Sequence, residues 1–331
     1  MYVELLSKMN ETKYNAWLNL LKDSDLEPDS HMTVTALLWD DDKLAATGSR
    51  CENILKCFAV DKSYQGEGLT ASIITALKKD AFSHGLDHLF LYTKPGNKDM
   101  FTSLFFYIIA ETDNVVLMEN RKNGINAFLD KIQVEETDGI NGSIVMNCNP
   151  FTRGHQHLIE TAAKECDNLY VFVVSEDKSR FSANDRIEMV RLGTKHLSNV
   201  KVLPTGPYLI SSATFPTYFL KDRENVEKIK CVADIEIFTK YYVPRFRIQR
   251  RYVGTEPLSQ MTNQYNETLR QLLPLKGIEF IEIPRLETLN QPISASKVRE
   301  LIDLGEAEML KEFLPDSTYI YLKNKGIIQE D

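Results

Sequence analysis

Hydrophobic and polar positions follow two rhythms along this chain. In the first third, short apolar runs at 33–39, 44–47 and 54–60 lie close together and read as strands. A helical pattern follows over 69–84, with apolar residues at 69, 73, 74, 77 and 81–82, then a strand at 89–93 and a helix near 99–106. From about residue 140 the rhythm becomes strand, helix, strand. Residues 144–147 form a short apolar strand, and 155–165 form a helix with Leu158, Ile159, Ala162 and Ala163 on one face. Residues 169–175 form a continuous apolar run of the buried parallel type. Ser182 opens a further helix, and 200–203, 230–233, 251–253 and 279–283 are strand candidates. This alternation predicts an α/β protein whose second part is a doubly wound parallel sheet. Polar stretches at 119–124 and 135–142 flank a short amphipathic helix at 125–134. They predict two domains, 1–135 and 140–331.

Composition supports that reading. The 331 residues are 43% hydrophobic and 26% charged, ordinary for a soluble globular chain. Residues 1–139 hold 14 Lys+Arg against 22 Asp+Glu, whereas 140–331 hold 25 of each. The acidic first part disfavours polyanions, so no nucleic-acid partner is expected. The basic cluster Arg245, Arg247, Arg250 and Arg251 is a local exception, read equally well as a solvated face. Five widely spaced cysteines with no C-x-x-C pair predict reduced thiols and a cytoplasmic protein. No apolar run approaches the roughly 20 residues of a membrane span, and no signal peptide is seen.

Two stretches carry chemistry. Residues 149–155, Asn-Pro-Phe-Thr-Arg-Gly-His, join a predicted buried strand to a helix. In open parallel sheets ligands bind outside the carboxyl ends of the strands, and a helix N-terminus there favours an anion. Gly154 offers close backbone approach, Thr152 a hydroxyl, and His155 a ring donor in the first turn. His157, two residues on, faces elsewhere, which argues against a zinc pair. Residues 293–299, Ile-Ser-Ala-Ser-Lys-Val-Arg, open another helix that Ser294 or Ser296 can cap. Lys297 and Arg299 oppose the helix dipole by about 0.3–1 kcal/mol each, a cost that a bound polyphosphate would offset. Residues 253–257, ending a predicted strand, place Gly254 and Glu256 beside the same crevice.

The first stretch resembles the T/H-x-G-H signature of the nucleotidyltransferase superfamily. The second resembles its I-S-S-T/S-x-V-R signature, with Ala295 at the third position. That resemblance implies a Rossmann-like domain that binds ATP and Mg2+. It implies contacts from Asn149, Phe151, Thr152, Gly154, His155, Gly254, Glu256, Ile293, Ser294, Ser296 and Arg299, with His155, Lys178, Ser296 and Arg299 neutralising the charge that develops at phosphorus. No general base is needed if the attacking group is already an anion, such as a carboxylate. Residues 144–155, 173–182, 214–220 and 254–257 are similar to the citrate lyase ligases. Members of that family activate acetate with ATP as acetyl-adenylate, form AMP, and acetylate the prosthetic-group thiol of the citrate lyase acyl carrier subunit.

The first domain resembles a GNAT-type acetyltransferase, an α+β fold. Its glycine loop at 64–70 places Gln65, Gly66 and Gly68 to hold CoA-like phosphates, but Thr70 stands where the family has a small last residue. Two alternatives stay open at this point. One is an adenylyltransferase of the phosphopantetheine or nicotinate mononucleotide type, and the other a silent acyl-CoA sensor. Phe151, Phe215, Tyr218 and Phe219 are candidates either for core or for a small-acid pocket.

Overall fold

A computed structural model describes residues 1–29, 31–134, 138–175, 179–209, 215, 217–220, 225–256, 259–288 and 291–329. In chain order the first elements are β1 (Tyr2–Leu6), α1 (Glu11–Asp23), β2 (Val34–Asp40), β3 (Lys43–Cys51), β4 (Ile54–Val60), α2 (Leu69–Ser83), β5 (Phe90–Thr93), α3 (Lys98–Ser103), β6 (Tyr107–Glu111), β7 (Val116–Glu119) and α4 (Gly124–Asp130). Then come β8 (Asn141–Met146), α5 (Arg153–Ala163), β9 (Asn168–Val173), α6 (Ala183–Thr194), β10 (Val200–Pro204), α7 (Val226–Ile237), α8 (Val243–Phe246), β11 (Arg250–Gly254), α9 (Gln260–Leu272) and β12 (Glu279–Ile283). A two-residue pairing, β13 (Glu287–Thr288) with β14 (Gln291–Pro292), precedes α10 (Ala295–Leu304), α11 (Ala307–Phe313) and α12 (Asp316–Asn324).

The chain divides into two compact units. One is Met1–Gly124 with Thr214–Glu236, and the other is Ile125–Ala213 with Ile237–Asp331.

The first unit is a seven-stranded mixed sheet in the order β1-β2-β3-β4-β5-β7-β6. Every pairing in it is antiparallel except β4 with β5. α2 places Ile73, Ile74, Leu77 and Ala81 in a core completed by Ala36, Leu38, Leu55, Leu91 and Met118. This is the GNAT-type α+β fold of the expectation.

The second unit holds a five-stranded parallel sheet in the order β10-β9-β8-β11-β12. All six residues of β9 are buried, as its unbroken apolar run predicts. Strand order reverses between β8 and β11, so their carboxyl ends flank the crevice where such sheets take ligands. The core beneath it includes Ile144, Phe151, Ile159, Val171, Met189 and Val298. The doubly wound parallel fold is therefore as expected.

One predicted strand is wrong. Residues 230–233 lie inside helix α7. Ile229, Cys231, Ala233 and Ile235 are all buried, so the helix is apolar on several sides and its short core run mimics a buried strand.

Candidate functional site

The loop after β8 is built from the inside out. Arg186 of α6 is fully buried and donates to the Asn147 carbonyl at 3.0 Å, to Asn147 Oδ1 at 2.6 Å and to the Val174 carbonyl at 2.7 Å. Its Nε donates to the Phe181 carbonyl at 3.1 Å. One guanidinium thus ties together the chain leaving β8 and the chain leaving β9. Phe151 is wholly buried, and a Cβ on Gly193 would come within 2.3 Å of its ring. Its ring has no exposed surface and supports the loop from below, where burial of a large aromatic is most favourable.

Thr152 caps α5, accepting from the His155 backbone N–H at 3.4 Å. The Thr152 backbone N–H in turn donates to His155 Nδ1 at 3.0 Å. A backbone N–H can only donate, so Nδ1 accepts and the ring proton of the neutral imidazole sits on Nε2. Burial, and then the Arg285 charge, push the His155 pKa down to about 4. At neutral pH the ring is an uncharged donor held in one orientation.

The second signature lies against the first. Ser294 caps α10 by accepting from Lys297 N–H at 3.1 Å. Arg299 donates to the Asn149 carbonyl at 2.6 Å and to Ser296 Oγ at 2.9 Å. A Cβ built on Gly154 would sit 3.5 Å from Ile293 Cβ, an ordinary contact. Two segments about 140 residues apart in sequence therefore meet at the positive ends of two helices. Lys297 pairs with Glu300 at 2.9 Å, and Ile293 is a core residue under Gly154.

Gly254 closes β11 next to this crevice. Beyond it, Glu256 forms an ion pair with Arg285 and accepts from Ser259 N–H at 3.1 Å. Lys178 lies outside the described residues. Arg180, Arg186 and Arg285 were not expected. Arg180 donates to the Arg299 carbonyl at 3.1 Å and pairs with Asp303 at 2.5 Å. Arg285 follows the carboxyl end of β12, and that placement was the signal that could have found it. Arg186 carries none, because an arginine in a helical pattern reads as surface.

In the first unit, Gln65, Gly66 and Gly68 lead into α2. Gly66 and Gly68 have φ of 91° and 73°, a left-handed backbone that glycine adopts without strain. A Cβ at either would meet open space. All three residues line a cavity of about 860 Å³, together with Phe58, Tyr92 and Tyr218. Phe215, Tyr218 and Phe219 belong to this unit and Phe151 to the other. Among the described residues, no group of three or more His, Cys, Asp or Glu is placed to hold a metal. No helix among them is long and apolar enough to cross a membrane.

Comparison with known proteins adds the following. Residues 141–322 match the citrate lyase ligase C-terminal domain, and residues 2–101 match the acetyltransferase (GNAT) family. Over 303 residues the chain is 39% identical to [citrate [pro-3S]-lyase] ligase of Klebsiella pneumoniae, covering 90% of this chain and 88% of that one. Over 325 residues it is 37% identical to the ligase of the same name from Escherichia coli (strain K12), covering 96% and 92%. A stretch of 117 residues, 35% of this chain, is 33% identical to phosphopantetheine adenylyltransferase of Clostridium botulinum and covers 67% of it.

Proposed function

Because the chain belongs to the citrate lyase ligase family, we propose that it activates acetate with ATP, releasing pyrophosphate, and passes the acetyl group to the prosthetic-group thiol of the citrate lyase acyl carrier. The observation that carries this reading is the Arg299–Asn149 bond, which brings both signature loops to one point. ATP, taken as its Mg2+ complex, would lay its phosphates across the starts of α5 and α10. Arg299 and Ser296 would donate to the β and γ groups. Mg2+ would supply further charge neutralisation there, held by phosphate oxygens and water.

The chemistry then needs position more than side-chain reactivity. A carboxylate is already an anion and attacks the α-phosphorus in line as pyrophosphate leaves. Charge builds on the α-phosphoryl oxygens, and His155 Nε2–H is a donor prepared for it. Being neutral, His155 gains most when that charge appears and binds the ground state less tightly. In the second step the thiol, having lost its proton to solvent, attacks the acyl carbon of acetyl-adenylate as the thiolate; the C–S bond forms as the C–O bond to phosphate breaks, and AMP leaves. Gln65, Gly66 and Gly68, opening on the cavity of the first unit, would hold the CoA-like phosphates of the carrier's prosthetic group at the start of α2. The protein would act in the cytoplasm.

A second reading, adenylyl transfer to a phosphate acceptor, is favoured by the 117-residue likeness to phosphopantetheine adenylyltransferase. Product analysis separates the two. With ATP labelled in the adenylate, acetate and carrier, free AMP and acetylated carrier are expected. A stable adenylylated product from 4′-phosphopantetheine, with none of these, would overturn the ligase reading.

A further inference from the structure

The cavity of the first unit lies where β4 and β5 part company. These parallel neighbours pair only at Ile54 with Phe90 and Leu55 with Leu91. Beyond those residues β4 runs on to Val60 and β5 to Thr93, and among the described residues no strand pairs with their inner edges. Such a wedge leaves backbone donors and acceptors to be satisfied by something else. Phe58, Ala59 and Val60 line it on one side and Tyr92 and Thr93 on the other. At its wide end stand Gln65, Gly66 and the start of α2.

Its narrow end is already occupied by the chain itself. Tyr218 donates its hydroxyl to the Tyr92 carbonyl at 3.3 Å, the first carbonyl past the last paired residue of β5. Cys57 lies on β4 at a bulge, with φ of 56°. The phenol is therefore anchored to β5 at the point where the two strands separate, and lines the cavity together with Phe58 of β4. Its seat is firm. The Tyr218 carbonyl accepts from Glu27 N–H at 2.9 Å, its ring packs edge-on to Phe219 at 5.0 Å, and Phe215 packs edge-on to Tyr92 at 5.5 Å. Burial raises the Tyr218 pKa well above its usual value, so the hydroxyl keeps its proton and remains a donor.

We propose that Tyr218 is a specificity-determining stop. It closes the narrow end of the wedge, so that a CoA-type arm enters with its thiol terminus but a bulky acyl terminus does not fit. The proposal rests on the reading that this cavity takes such an arm. An arm whose phosphates lie at α2 points its far end along the diverging strands toward Tyr218. A thiol fits against the phenol, whereas a long acyl chain must displace a seated aromatic ring. The first unit then presents and shields a free thiol arm rather than transferring an acyl group from it.

Titration calorimetry on the full chain tests this with CoA and octanoyl-CoA as probes. The wild-type protein is expected to bind CoA at least about tenfold more tightly than octanoyl-CoA. In Tyr218→Ala the preference should collapse by about tenfold or more, whereas Tyr218→Phe, which keeps the ring, should retain it. An unchanged preference in a folded Tyr218→Ala overturns the role of Tyr218 alone. Should that variant not fold, equal binding of the two probes to the wild-type protein overturns it. If neither probe binds wild type or Tyr218→Phe, the arm reading fails and the proposal falls with it.

Discussion

Two helix starts in this molecule are built in opposite ways. α2 of the first unit begins at Gly68, in a left-handed conformation with no side-chain cap. α5 of the second unit begins at Thr152, whose hydroxyl and backbone are both engaged with His155. The first leaves its N-terminal donors to a ligand and suits binding. The second uses its own side chains to fix one imidazole tautomer, which suits chemistry, because a donor already oriented reorganises little as charge develops. On the proposed function, the same anion-favouring device would serve a holding site in one unit and a reacting site in the other.

The sharpest way to break this contrast is to remove the fixed donor. His155→Ala should lower the rate of acetyl-adenylate formation by at least about 100-fold, judged from the loss of a single transition-state donor. Pyrophosphate release under single turnover measures it. Arg299→Ala comes next. It removes the bond between the two loops and should lower kcat/KM for ATP by about tenfold or more, in line with a lost hydrogen bond to a charged group. Steady-state kinetics with varied ATP report that value.

The cap itself gives a smaller effect. Thr152→Ala should cost about 1 kcal/mol of stability, the usual loss of an N-cap. Gly68→Ala, by contrast, breaks no cap and should cost about 1–2 kcal/mol through left-handed strain alone. Urea melts of the two variants compare them. The smallest expected effect lies in pH. His155 titrates at about 4 when folded and near 6.5 when free, so the unfolded chain binds more protons between those values. Its contribution is therefore complete above about pH 6.5 and is lost as pH falls toward 4. His155→Gln should flatten that part of the stability profile, as urea melts from pH 4 to 7 would show.

Much of the second unit was legible in the sequence. Parallel strands buried on both faces are continuous apolar runs, and a ligand loop at a strand's carboxyl end has few other uses for Gly154 and His155. What escaped was whatever depends on partners far away in sequence. Arg186 looks like a surface residue until the carbonyls of Asn147 and Val174 are seen around it. Residues 230–233 read as a strand because a helix buried on several sides loses its polar face. Tyr218 sits in a stretch resembling the ligases, yet its position at the β4–β5 wedge follows from tertiary packing that no local spacing encodes. β1, β6 and β7 carry weak alternation of their own and are stabilised by the neighbours they pair with.

The most direct check on the reacting site is exchange of labelled pyrophosphate into ATP by the purified chain, without carrier. The account predicts exchange that depends on acetate, saturates with it, and is abolished in His155→Ala. Exchange that proceeds equally well without acetate, or at the wild-type rate in that variant, would contradict it.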